Sequence, residues 1–207
     1  MRLPVPPVLV ISDRRQARRP LEELAEAIFA GGCRWLSLRE KDLPAGERRA
    51  LLSALVVLGR RWEATVTVHE DVDAAAEAGA DGVHLPSAGN PAAARARFAG
   101  GLIGASAHSA REASALLSSG ADYVTISPVF LTASKPGYGP ALGLDGLAEI
   151  VAQVPGPVIA LGGVTPANAP LCLSAGASGV AVMGEVMRAT NPQAVVEAML
   201  AAISGNQ

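Results

Sequence analysis

Three segments of the chain repeat one pattern: EAGADGVHL (77–85), SSGADYVTI (118–126) and SAGASGVAV (174–182). Each closes an alanine-rich helical stretch on a glycine, passes a small or acidic residue, and enters a β-branched run. The glycine reads as a helix C-cap, since it takes the left-handed conformation without a Cβ clash. The run after it is short and apolar without alternation, which predicts a strand buried on both faces. FAGGCRWLSL (29–38) is a weaker fourth copy. A recurring unit of helix, glycine and strand restricts the chain to alternating α/β architectures.

Reading outward from these copies places strands near 8–12, 35–38, 65–69, 81–85, 102–106, 122–126, 157–161 and 179–183. Helical patterns lie near 20–31, 44–62, 71–79, 91–98, 109–119, 144–153, 166–175 and 192–203. Asn90-Pro91, Thr165-Pro166 and Asn191-Pro192 each set a capping residue before a proline at the first helical position, and Asp71 and Ser109 are further caps. Eight strands alternating with eight helices, without a composition break, predict a single-domain parallel (β/α)8 TIM barrel over 1–207. A doubly wound open sheet is the alternative, disfavoured because the first strand–helix junction has no glycine-rich dinucleotide loop. The 207 residues are few for a barrel, so its loops must be tight. The exception is Ser127–Gly143, seventeen residues with three prolines and three glycines, and loops of that length are usually functional.

Composition narrows the function classes. A net charge of −2, with no Lys/Arg-rich face joined to aromatics, argues against a nucleic-acid partner. Half the residues are apolar but only 3% are aromatic, so Ala, Val and Leu are expected to fill the interior. Cys33 and Cys172 match no metal spacing and read as buried hydrophobes in a reducing compartment. No segment approaches the roughly 20 apolar residues of a membrane helix, and the proline-rich MRLPVPPVLVIS does not match a signal peptide. The expectation is a cytoplasmic protein, monomeric or homo-oligomeric, with neither nucleic acid nor membrane as partner.

Two lysines, Lys41 and Lys135, stand against fifteen arginines, and there are three histidines, His69, His84 and His108. All five fall just beyond strand-like runs. In a barrel those positions form one rim, where active sites sit. Arg39 and Lys41 lie two positions apart, so on an extended backbone they point the same way. With Lys135 from the long loop they would suit an anionic group; the plainer reading makes them rim charges paired with Glu40 and Asp42. LGGV (161–164) and GVAVMG (179–184) put glycines after strands seven and eight, where barrels commonly hold a phosphate. His69-Glu70-Asp71 ends strand three and offers a general base. His84 and Ser106 sit on neighbouring strand ends, and His108 opens the next helix. Arg14, Arg15, Arg18 and Arg19 read as a solvated loop rather than an anion site.

In this order, the motifs LREK (38–41), DVD (71–73), GADGVHL (79–85), GAS-x-HS (104–109), GADYV with SPVF-x-T-x-SKPG (120–137), LGGVTPAN (161–168) and GVAVM (179–183) resemble the family of thiamine-phosphate synthases and thiazole tautomerases. The resemblance covers essentially the whole chain and implies a (β/α)8 barrel. In the synthase, a pyrimidine diphosphate loses diphosphate and the nitrogen of a thiazole phosphate captures the resulting cation. Carried over, the thiazole phosphate would meet Thr132, Ser134, Gly162, Gly163 and the turn at Met183-Gly184. The diphosphate would meet Arg39, Lys41, Ser106 and Lys135.

The chain also departs from the synthase pattern. Ser37 stands for the family's Gln, and His69-Glu70 for an Asn-Asp pair whose Asp binds magnesium. Pro86–Gly89 has no carboxylate where the second magnesium ligand falls. A tautomerase, which shifts protons on a thiazole carboxylate phosphate, needs no metal, although Pro128 replaces a His that some tautomerases carry. The leading expectation is therefore a metal-independent thiazole tautomerase, an isomerase, with His69, Glu70 and His108 as acid/base candidates. Thiamine-phosphate synthase, a transferase, is the first alternative, and a non-catalytic barrel binding thiamine intermediates the second. No cofactor is expected, with Mg2+ only under the synthase alternative.

Overall fold

The computed structural model describes residues 2–132 and 139–205. Eight parallel strands close on themselves in sequence order: β1 (Val8–Ile11), β2 (Trp35–Leu38), β3 (Thr65–His69), β4 (Gly82–Leu85), β5 (Leu102–Ala107), β6 (Tyr123–Ile126), β7 (Val158–Leu161) and β8 (Gly179–Val182). β1 pairs with β8 through Val8↔Val180 and Val10↔Val182, so neither edge of an open sheet remains. The helices α1 (Leu21–Ala30), α2 (Ala45–Arg61), α3 (Val72–Ala78), α4 (Pro91–Arg97), α5 (Ala110–Ser118), α6 (Gly143–Gln153), α7 (Ala169–Ser174), α8 (Gly184–Met187) and α9 (Pro192–Ser204) complete the order. The (β/α)8 expectation holds and the open doubly wound sheet does not. No helix among the described residues is long and apolar enough to cross a membrane.

The capping logic holds at most junctions. Asp71, Asn90, Ser109 and Asn191 each accept from the backbone N–H three residues on, which supplies an acceptor to an otherwise orphaned donor. The glycines of the repeat take positive φ, 62° at Gly79, 103° at Gly120 and 94° at Gly176, and turn each helix into its strand. Thr165-Pro166 is corrected: α7 begins only at Ala169, because the Asn168 side chain accepts from Thr165 N–H at 2.8 Å and holds 165–168 as a turn. The four-residue α8 is additional, being too short to register as a periodic pattern.

The strands are not apolar throughout. Residues packing outward against the helices, such as Val10, Leu36, Val66, Val83, Ile103, Val124, Ala160 and Val180, belong to the main core. Their neighbours form a second, inner cluster of Leu9, Ile11, Trp35, Leu102, Tyr123, Ile159 and Ala181. The barrel centre thus depends on two of the few aromatics, contrary to an interior of Ala, Val and Leu alone. Continuing the alternation, Ser37, Thr67, His84 and Thr125 are buried at inner positions of β2, β3, β4 and β6.

Gly104 on β5 lies between His84 and Tyr123 in the register. A Cβ there would come within 2.0 Å of the Tyr123 ring, so this position must be glycine for the phenol to lie across it. Gly104→Ala is expected to destabilise the fold by about 1–3 kcal/mol. Gly46→Ala in the first turn of α2, where nothing lies within 4 Å, is expected to be neutral or stabilising by up to about 1 kcal/mol. Urea unfolding midpoints of the two variants check both.

Candidate active site

A cavity of about 400 Å³ opens at the C-terminal rim of the barrel. Its wall contains Arg39, Lys41, His69, Glu70, Ser106, His108, Thr132, Gly162, Gly163, Met183 and Gly184. Closure of the sheet thereby brings these residues together from six strand ends, and Ile11 and His84 add the remaining two. Ser134 and Lys135 lie outside the described residues. Ser127, Pro128 and Leu131 add the base of the long loop, whose ends are tied where Leu142 and Gly143 N–H donate to Pro128 and Val129 carbonyls, each at 2.9 Å.

On the β2 side, alternation separates the three charges of Arg39-Glu40-Lys41. Arg39 and Lys41 face the cavity, while Glu40 is buried, at 2% exposure. Glu40 accepts from Ser12 Oγ at 2.7 Å and from Arg14 N–H at 3.1 Å. Burial raises its pKa, against the pull of those hydrogen bonds. Ser12 Oγ in turn accepts from Arg39 N–H at 2.8 Å, so Glu40 and Ser12 fix the backbone that carries Arg39. Arg14 also donates to Asp42 at 2.7 Å, and this accounts for one arginine of the N-terminal cluster as a loop clamp. Glu40 and Asp42 therefore partner Arg14 and not Arg39. Among the described residues the Arg39 guanidinium forms no ion pair.

At the end of β3, Glu70 has φ 68°, unusual for a residue with a side chain. Its N–H donates to the His84 carbonyl at 2.9 Å, and Asp71 N–H donates to the His69 carbonyl at 2.9 Å, which holds this bend. Glu70 Oε1 accepts from Lys41 Nζ in an ion pair across the rim. Asp71 caps α3 and pairs with Arg48 at 2.9 Å; burial works against its charge, but the Ala74 N–H and Arg48 outweigh it and lower its pKa. His69 packs its ring on His84, centroids 4.7 Å apart, as expected for residues directly paired across β3 and β4.

His84 is buried and bonds Tyr123 Oη at 3.1 Å and Ser106 Oγ at 3.0 Å. Burial first, and then the positive charges of Arg39 and Lys41, push its pKa down to about 3, so the ring is neutral at physiological pH. His108 is exposed and lines the cavity just beyond β5. Its Nδ1 lies 2.9 Å from the Ser127 carbonyl, which can only accept, so Nδ1 carries a proton. Glu112 accepts from His108 N–H at 2.8 Å while its own N–H donates to Ser109 Oγ, a reciprocal clasp that seats the helix start.

The far wall is backbone. Gly162 and Gly163 have φ of 101° and 62°. A Cβ on Gly163 would come within 2.5 Å of the Leu131 carbonyl, and one on Gly162 within 2.9 Å of Pro128. The glycines are required because the long loop lies against them, and both line the cavity. Sequence reasoning missed Arg188 and Glu185, which line the cavity from α8 and its end; a helix of four residues offered no periodic signal. It also missed the burial of Glu40, which the alternation with Arg39 and Lys41 could have shown.

Residues 8–186 match the family described as Thiamine monophosphate synthase. The chain belongs to this family. A Roseiflexus sp. (strain RS-1) protein named thiamine-phosphate synthase is 40% identical over 200 residues, covering 95% of this chain and 85% of its own. A Geobacter sulfurreducens relative, whose name assigns it the same activity provisionally, is 43% identical over 195 residues, covering 93% and 92%. A solved thiamine phosphate pyrophosphorylase from Pyrococcus furiosus superposes with a TM-score of 0.86 at 33% identity, covering 96% of this chain and 95% of that one.

These relatives overturn the thiazole tautomerase, and with it the isomerase assignment, in favour of the synthase alternative. The tautomerase reading rested on missing metal carboxylates. Losing them removes one means of neutralising an anion but leaves the barrel's own cations in place, so the loss does not discriminate between the two reactions.

Magnesium, which the family resemblance implies for a synthase, does not fit the residues present. It requires hard oxygen ligands in octahedral geometry, usually including carboxylates. Glu70 is paired with Lys41, Asp71 with Arg48, and Asp73 with Arg97. Pro86–Gly89 supplies no carboxylate, and no metal-binding cluster of three His, Cys, Asp or Glu occurs among the described residues.

The neutral His84 sets a pH dependence. Its folded pKa, about 3, lies below the ordinary 6.5, so between these values the unfolded chain binds the extra proton. Stability must fall as pH falls through that window, with a slope from this group of up to about 1.4 kcal/mol per pH unit. Replacing it, His84→Asn, is expected to flatten the dependence of unfolding free energy on pH between about 6.5 and 5, above most carboxylate titration. Urea titrations across that range check it.

Proposed function

We propose that the protein is a thiamine-phosphate synthase, joining a pyrimidine diphosphate to a thiazole phosphate with release of diphosphate. The observation that carries this reading is one cavity with two different anion-receiving walls: cationic side chains on β2, and glycine backbone after β7 and β8. A reaction that brings two phosphorylated substrates together requires two such walls facing one another.

In this reading Arg39 and Lys41 receive the diphosphate, with Ser106 between β4 and β6 as a hydrogen-bond donor. As the C–O bond breaks, negative charge accumulates on the diphosphate, and fixed cations stabilise that charge more than they do the ground state. Glu70 holds the Lys41 ammonium in place at the rim. The Gly162-Gly163 backbone and the Met183-Gly184 turn receive the thiazole phosphate, with Thr132 beside them, and orient the ring nitrogen toward the pyrimidine carbon. Proximity of the two rings then favours C–N bond formation over capture of the cation by water. Ser134 and Lys135 belong to the same proposal from the sequence alone. His69, packed on His84, shapes the wall. His108 keeps its Nδ1 proton on the Ser127 carbonyl and anchors the base of the long loop.

Purified protein given both substrates is expected to release diphosphate and form the coupled product, and release should persist when a chelator removes divalent cations. Arg39→Ala and Lys41→Ala are each expected to lower the rate about 100-fold, the usual cost of removing one group that stabilises developing charge. No diphosphate release with both substrates, either in chelator or at saturating magnesium, would sink the reading.

A further inference from the structure

We propose that Tyr123 and His84 are positioning residues that lock the Ser106 hydroxyl as a hydrogen-bond donor to an anionic oxygen of the substrate in the cavity. The inference rests on the synthase reading only for the identity of that anion, the diphosphate.

Four rings form a column down the inside of the barrel. Trp35 meets Tyr123 edge-on with centroids 4.9 Å apart, Tyr123 meets His84 at 5.6 Å, and His84 meets His69 at the rim at 4.7 Å. His84 is in the middle, 1% exposed, with Tyr123 wholly buried beneath it. A buried polar hydrogen without an acceptor costs about 1–3 kcal/mol. The Trp35 indole N–H of this column already lacks one among the described residues, so the protons that decide the arrangement are those around His84.

The neutral imidazole carries one N–H and one lone pair, and the surroundings decide which nitrogen holds which. Tyr123 Oη has His84 Nδ1, at 3.1 Å, as its hydrogen-bond partner. Were Nδ1 protonated, the phenol proton would be left without an acceptor deep in the barrel. Nε2 would then offer a single lone pair to two hydroxyls, Ser106 at 3.0 Å and Thr125 at 3.5 Å. With Nδ1 as acceptor the phenol proton is placed, and Nε2–H donates to Ser106 Oγ. Only the Thr125 proton, at the longer distance, then has no assigned acceptor. The second arrangement leaves fewer protons unplaced and is the one the geometry selects.

The consequence falls on Ser106. Its oxygen accepts from His84, so its own proton must point away from the ring. Ser106 is half-buried and lines the same cavity as Arg39 and Lys41. The hydroxyl therefore presents O–H to a bound ligand, which suits an acceptor such as a phosphate oxygen. The chain of donors from Tyr123 through His84 also polarises that O–H, as consecutive hydrogen bonds do. Gly104 is part of the device, since a side chain there would displace the Tyr123 ring.

Nitrogen-15 NMR of the imidazoles tests the tautomer directly. Wild-type His84 is expected to show a protonated Nε2 and an unprotonated Nδ1, unchanged across about pH 5 to 8 where an ordinary histidine titrates. Tyr123→Phe, which keeps the ring and removes the donor, is expected to mix the tautomers. It should also weaken binding of inorganic pyrophosphate about tenfold, the size of one hydrogen bond to a charged group. In a Ser106→Ala background the same change should have no further effect. A wild-type Nδ1–H tautomer, a titrating ring, an equal Tyr123→Phe loss with and without Ser106, or no pyrophosphate binding by the wild type would each overturn the inference. A wild type that shows the Nε2–H ring and the non-additive loss, but releases no diphosphate from the two substrates, would overturn the synthase reading alone.

Discussion

Closure of the sheet between β1 and β8 is the constraint on which the molecule depends. A parallel sheet cannot leave its edges or faces bare, and eight short strands satisfy both needs by forming a ring inside a shell of helices. Because every strand runs the same way, all eight C-terminal ends meet at one rim. Residues separated by more than a hundred positions in the chain, such as Arg39 and Gly163, thereby line one cavity. The N-terminal junctions, tightened by the glycines of the repeat, hold the strands but carry none of the chemistry.

Closure also creates an interior that is not uniform. The inner positions of β1, β7 and β8 carry Leu9, Ile11, Ile159 and Ala181, whereas β2 to β6 carry Ser37, Thr67, His84, Ser106 and Thr125 above Trp35, Leu102 and Tyr123. Burying hydroxyls and an imidazole is costly unless they bond one another, and the Ser37 and Thr67 hydroxyls are buried without a partner among the described residues. Around β4 to β6 His84 supplies the partner by joining Tyr123 to Ser106, and as a neutral ring it does so without bringing a charge into the barrel. The polar inner residues begin at β2, which carries Arg39 and Lys41 at its end, and the apolar ones lie on β7, β8 and β1, next to the glycines. An anion at the β2 end meets side-chain donors, and one at the glycines meets main chain.

Much of this was legible in the chain. The helix–glycine–strand repeat led to the barrel, and the Asx and Ser caps at Asp71, Asn90, Ser109 and Asn191 placed the helix starts, because a cap is a local interaction spanning three residues. Thr165-Pro166 misled because the Asn168 side chain, a few residues on, offered the backbone a competing turn. The reading of buried strands as simply apolar overlooked Ser37, Thr67 and Thr125, whose alternation is visible only once the inner face is known. The choice of tautomerase over synthase came from treating the longer Glu70 in place of Asp and the missing carboxylate at 86–89 as decisive. An absent ligand removes one source of positive charge and leaves unstated what else the rim provides.

The sequence by itself determined the fold class, the strand ends and the residue types at the rim, because periodicity, caps and glycines act over a turn or a strand. Only the tertiary structure decided how those residues are paired. It placed Glu40 against Ser12 and Arg14, left Arg39 facing the cavity, joined Lys41 to Glu70, and set His84 between Tyr123 and Ser106. Those partners lie between 22 and 39 positions apart. The proton positions and charges they impose depend on distances that exist only after the barrel has closed.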